Sequence, residues 1–237
     1  MRKTLSAAAG AMTMLAVLAL AGPAQAGTWH HRDDGTAKLS VLHGVPGLTV
    51  DVWVDGKLTL DHFKPGTLAG PLNVPDGDHE IAITGDNATS ADNPVIGPVT
   101  VDLGAGQDYT AVAHLAADGS PTATLFTNDT SASPDGQGKL TVRHVAAAPA
   151  VDVLAGGTTI IEGLTNPDEE VLTLMAGTVS ATVAAAGTTA PLIGPADVKI
   201  TEGKNTIVYA WGSLAMKNLG VAVQVVDSSL CGHDNHE

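Results

Sequence analysis

Cysteine is all but missing from this chain: Cys231 is the single one in 237 residues. An internal disulfide framework is thereby excluded, and a lone thiol in the polar run from Cys231 to Glu237 is free for an intermolecular bridge. Aromatic residues are scarce too, with three Trp, two Tyr and two Phe, so any core must be built from Val, Leu, Ile and Ala. Cations are few: 11 Lys and Arg stand against 25 Asp and Glu, a net charge of −14. That field repels nucleic acid and anionic membrane surfaces, and no basic patch offsets it. Helical periodicity is nearly absent after Leu20. Nor is there a phosphate loop, a dinucleotide fingerprint, a paired CxxC or a GxSxG elbow, so no cofactor is expected.

The N-terminus carries a compartment signal. Arg2 and Lys3 precede an apolar stretch from Ala7 to Leu20, a Gly22-Pro23 breaker and the small-x-small triplet Ala24-Gln25-Ala26. This order predicts a signal peptide over 1–26, cleaved near Gly27. The protein is then secreted, extracellular or loosely envelope-associated, with no transmembrane segment in the mature chain.

What the chain has in plenty is internal repetition. Lys38-Leu39-Ser40-Val41-Leu42-His43 returns as Lys139-Leu140-Thr141-Val142-Arg143-His144, at an offset of 101. Val50-Asp51-Val52 returns as Val151-Asp152-Val153 at the same offset. Gly56 and Gly157 follow, then Gly97-Pro98 and Gly194-Pro195. Two copies of one small domain are expected: a flexible segment over 27–36, repeat 1 over 37–127, a polar linker over 128–138, repeat 2 over 139–227 and a polar tail over 228–237. Each repeat is long enough to fold by itself.

Short alternating runs bounded by Gly, Pro, Asn and Asp predict an all-β chain. In repeat 1 the strands fall at 38–43, 49–54, 57–60, 70–74, 78–84, 98–103, 108–115 and 121–127. In repeat 2 they fall at 139–144, 150–154, 158–161, 169–175, 178–184, 196–200, 205–211 and 219–226. The fold class is two tandem antiparallel immunoglobulin-like β-sandwich domains after a cleaved signal peptide. By the period of two, Leu39, Val41 and His43 share a face, and Ile207, Tyr209 and Trp211 share another. Val50, Val52 and Val54 point inward, leaving Asp51, Trp53 and Asp55 outward.

A strand ending in His, a Pro- or Ala-containing turn, then Val-Asp-Val and a Gly turn resembles the bacterial family called domain of unknown function 4397. The pattern is carried by Val41 to His43, Pro46 and Val50 to Gly56, and again by Val142 to His144, Pro149 and Val151 to Val153. Asp108-Tyr109-Thr110 matches the family's later Tyr-Thr element, from which repeat 2 departs with Asn205-Thr206-Ile207. The resemblance implies secreted or surface-located tandem β domains and no established reaction, so it carries over no catalytic residue.

The candidate sites follow from the repeat. His43 with Asp51 and His144 with Asp152 supply two-thirds of a hydrolase triad, but no nucleophile stands on a constrained turn. The signature His43, Asp51, Gly56, His144, Asp152 and Gly157 is therefore expected to be structural. Each His closes a strand on the inward face, and each Asp accepts hydrogen bonds from the turn or from that His. A secreted hydrolase using either pair is the alternative. Trp53, if outward, could stack on the CH faces of a sugar, making a polysaccharide-binding module; cover by the neighbouring domain is the competing expectation. His30, His31, Cys231, His233 and His236 could chelate Zn, Cu or Ni, though their spacing matches no closed zinc motif. The run Gly85 to Asn93 offers oxygen ligands for calcium but reads as an ordinary polar loop. The leading reading is a non-enzymatic structural or binding module at the bacterial cell envelope or in its matrix. Its partner would be a cell-wall polysaccharide or another surface protein.

Overall fold

The computed structural model describes residues 35–228. The expected signal peptide, His30, His31, Cys231, His233 and His236 lie outside the described residues. Among those described there are sixteen strands and no helix. The first eight are β1 (Thr36–His43), β2 (Val50–Val54), β3 (Lys57–Phe63), β4 (Leu68–Pro75), β5 (Gly77–Gly85), β6 (Ile96–Leu103), β7 (Asp108–Leu115) and β8 (Pro121–Thr127). They form sheets of order β4-β1-β7-β8 and β3-β2-β5-β6. The second eight are β9 (Gln137–Ala147), β10 (Val151–Ala155), β11 (Thr158–Leu164), β12 (Glu169–Met175), β13 (Gly177–Ala185), β14 (Pro191–Ile200), β15 (Lys204–Ser213) and β16 (Gly220–Asp227). Their sheets are β12-β9-β15-β16 and β11-β10-β13-β14, the same order position for position.

The tandem β-sandwich architecture is the expected one, and every expected strand is present. The largest difference in bounds is at β14, which begins at Pro191 because Ala184 and Val183 of β13 go on pairing with Pro191 and Ile193 beyond a bulge. Within the sandwich class, the strand order is particular. An immunoglobulin constant-type domain sets its first, second, fifth and fourth strands in one sheet, whereas here the first and fourth join the seventh and eighth. Pairing is antiparallel except that β1 runs parallel to β7, and β9 to β15.

Each sandwich has its own aliphatic core. The first gathers Leu39, Val41, Val50, Val52, Ile83, Leu103 and their neighbours. The second gathers Leu140, Val142, Val151, Val153, Ile200 and theirs. The matched Gly-Pro pairs mark a close approach of backbones at bulges in β5–β6 and β13–β14. A Cβ at Gly97 would lie 2.7 Å from the Ile81 carbonyl oxygen, and one at Gly194 2.7 Å from that of Ala181. Both glycines also hold φ near 92°, a region other residues avoid.

The alternation pattern leaves one face of each sheet to water, and here the molecule departs from it. Every residue of β7 is buried, and β1, β9 and β15 are buried along almost their whole length. Their second faces meet each other. Leu42, Val112 and Phe126 of the first sandwich pack with Val145, Ile207, Tyr209, Ala222 and Val226 of the second in a third core. Both sandwiches fall within a single compact unit. The expected linker begins inside this junction: Asn128 is buried, the Asp129 carboxylate lies 2.7 Å from the Lys139 ammonium, and the Asp129 carbonyl accepts from Asn205 Nδ2 at 3.1 Å.

Candidate functional site

The repeat signature builds the same small device twice. His43 is buried at the end of β1, and its Nε2–H donates to the Leu48 carbonyl at 2.7 Å. Its Nδ1 accepts the Val45 N–H at 3.4 Å. In the second sandwich His144 Nε2–H donates to the Pro149 carbonyl at 3.0 Å, and Nδ1 accepts the Ala146 N–H at 3.3 Å. Since a carbonyl can only accept and an amide only donate, both rings are neutral with the proton on Nε2. Burial pushes both pKa values below the usual imidazole range, partly opposed by the carbonyl bond. Each His thus staples the loop that joins its strand to the next.

The Asp of each pair serves different partners. Asp51 Oδ1 accepts the His62 N–H at 2.9 Å and Oδ2 the Ala88 N–H at 3.2 Å. Asp152 does the same for Gly163 at 2.8 Å and Gly187 at 2.7 Å. The register of β2 on β3 and of β10 on β11 shifts at these positions. A bulge leaves an amide without a ladder partner, and the buried carboxylate supplies the missing acceptor. Of the two bonding patterns expected for Asp, the backbone one is present, while neither Asp hydrogen-bonds its His. No orienting His–Asp dyad of the triad kind is formed at either site. Gly56 (φ 71°), behind Asp55 (φ 52°), and Gly157 (φ 86°), behind Gly156 (φ 55°), turn the following hairpins, as the left-handed positions of such turns require.

Trp53 corrects the expectation of an exposed platform. Its side chain is buried, and its indole N–H donates to Thr84 Oγ1 at 2.9 Å. Asp51 on the same face is buried too and holds the loop after β5 through the Ala88 amide, so alternation alone did not show which side meets water. The indole is not available as a sugar-stacking surface. That same loop stays polar and open, with the Ser90 hydroxyl donating to Asp92 at 2.9 Å.

Two constellations escaped the sequence reading. Asp61 and His62, exposed on β3, share a hydrogen bond of 2.6 Å, and with Asp51 their ligand atoms lie within 4.8 Å of one another. This cluster belongs to one repeat only, since Glu162 and Gly163 occupy the matching places; both oxygens of Asp51 are already taken by amides. The second constellation is a polar network in the junction. The fully buried Arg143 donates through Nε to Glu169 at 2.6 Å and through an Nη to Asn128 at 2.9 Å and the Tyr209 hydroxyl at 2.8 Å. Its guanidinium also sits 4.3 Å from the centroid of Phe126. Gln224 accepts from Thr110 at 2.9 Å and donates to the Ser40 hydroxyl at 3.1 Å, and Asn166 donates to the Leu115 carbonyl at 2.8 Å. The available signal was the charged Arg143 standing where the first copy has apolar Leu42, inside a strand whose other residues are kept or, at Ser40 and Thr141, conservatively exchanged.

An all-β double sandwich, whose repeated His and Asp hold its own loops, defines the class: a two-sandwich module protein. Residues 37–154 match the model of the family described as "Domain of unknown function (DUF4397)". The match runs through the first sandwich and ends within β10 of the second. No curated protein matches the chain.

Proposed function

We propose that this protein is a secreted structural or binding module without catalytic activity, acting at the bacterial cell envelope or in its matrix. The observation that carries the reading is the fate of the repeat signature. Both His–Asp pairs, the best catalytic candidates in the chain, are spent on backbone groups in both copies. The leader pattern before Gly27, the acidic balance and the resemblance to a family of secreted β domains support the location. Acidity also disfavours nucleic acid, leaving a wall polysaccharide or another surface protein as the partner class.

Retention of the mature protein on cell walls isolated from its producer, with and without a chelator, tests this. Saturable retention is the expected result, and its loss with chelator would bring a metal into the interaction. A protein that stays wholly in the supernatant under both conditions would overturn the envelope role.

A further inference from the structure

We propose that the first sandwich binds the alkyl chain of a small amphiphile whose headgroup is uncharged or cationic. The site goes beyond the reading above, because it is defined whether or not the protein acts at the envelope. Between the two sheets lies a cavity of about 310 Å³, at the small end of ligand pockets. Its walls include Val41, Val52, Ile83, Ala111, Ala113 and Leu125. It opens where the edge strands β6 and β8 face each other, and Val99 at that mouth is 40% exposed.

Small side chains make the space. In the parallel pairings Val41 faces Ala111, and its counterpart Val142 faces Val208. Across the next pair Ala113 meets Ala123, whereas Ala210 meets Val221. The second sandwich thus carries Val at two positions where the first carries Ala on the cavity wall.

The lining decides the ligand chemistry. Thr100, Asp102 and Thr124 are its only polar residues, all on the edge strands, and the Thr124 hydroxyl is already bonded to the His114 ring at 2.9 Å. Water inside would find few of the partners that hold a buried water, while methylene groups gain by leaving solvent. At the mouth Asp102 is exposed, and neither Lys nor Arg lines the cavity. With a chain charge of −14, an anionic headgroup is repelled there and a neutral or cationic one is accepted.

The test is fluorescence titration of the full protein with the neutral dye N-phenylnaphthylamine, followed by displacement with decanol, decylammonium or decanoate. The expected result is saturable binding of one dye per chain, displaced by decanol and decylammonium at concentrations about tenfold below those needed with decanoate. The double variant Ala111→Val, Ala123→Val should weaken dye binding about tenfold or more while keeping the native circular dichroism spectrum. A folded double variant that binds the dye unchanged would overturn the proposal and point instead to the exposed valines Val221, Val223 and Val225 on β16. If the double variant does not fold, Val99→Lys at the exposed mouth decides. Decanoate should then compete as well as decanol, and an unchanged order of competitors would sink the assignment. Absence of saturable dye binding to the native protein would do the same.

Discussion

At the scale of single residues, the chain places several ionisable groups where water cannot reach them. His43, His114 and His144 are buried, and burial holds each pKa below the ordinary 6.5, with backbone carbonyls partly opposing. An unfolded chain would take up protons at these rings as pH falls through 6.5, while the folded chain resists. Stability is therefore present above that pH and lost below it. His79 works in the opposite sense. Burial opposes its charge, but bonds to Asp55 and the Pro75 carbonyl outweigh it, so its contribution is present below 6.5 and lost as pH rises through its raised pKa. The exposed His62 acts in the same direction as His79, but solvent screens it. With three depressed rings against one well-bonded raised one, urea midpoints are expected to drop as pH is lowered past 6.5. Substituting His43 and His144 by Gln should flatten that slope. A slope unchanged in the double variant would show that the staples are not its source.

Single elements show why the repeat signature is what it is. Each sandwich interrupts its β2-type strand pairing with a bulge, and a buried carboxylate satisfies the amide left over. In repeat 2 the bulge residue is Gly163 at φ 64°, while in repeat 1 it is His62 at φ 51°, a conformation that costs a non-glycine residue about 1–2 kcal/mol. Asp51→Ala would leave the His62 and Ala88 amides without acceptors, and is expected to destabilise by about 2–3 kcal/mol. Asp51→Asn, which keeps one carbonyl oxygen, should cost less. Chemical denaturation of the two variants checks the order; equal losses would mean that packing, not amide acceptance, explains the residue. The strands themselves were readable because Val, Leu and Ala alternate between turn residues. Trp53 was misplaced because that alternation does not reveal when the second face of a sheet is buried as well.

At the scale of the whole molecule, the junction between sandwiches is a core in its own right. The two inner sheets come from matched strands, yet their facing residues have diverged: Leu42 is matched by Arg143, Val112 by Tyr209 and Phe126 by Gln224 in the paired registers. Apolar groups of the first copy thus meet Arg143, Tyr209 and Gln224 of the second, whose hydrogen bonds reach back to Asn128, Thr110 and Ser40. A fragment spanning 37–128 keeps its own aliphatic core but uncovers Leu42, Val112 and Phe126. It is expected to fold, with stability lower by roughly 3–6 kcal/mol from the lost burial, and to associate with a 129–228 fragment. Calorimetry and gel filtration of the separate and mixed fragments would show this. A first fragment as stable as the intact chain and indifferent to the second would mean that the two sandwiches are independent.

The sequence by itself determined the strands, the turns and the doubling. Those depend on local rules: a period of two, glycine where φ is positive, and a motif that returns at a constant offset. It also marked His43, Asp51, His144 and Asp152, because a residue repeated in register signals a shared local role. Only the tertiary structure decided which faces are covered, that Asp51 serves a bulge rather than its His, that Arg143 anchors the junction, and that alanines on β7 and β8 leave a cavity. Each of these depends on which distant segments come together, and contacts between segments a hundred residues apart leave no period in the chain that forms them.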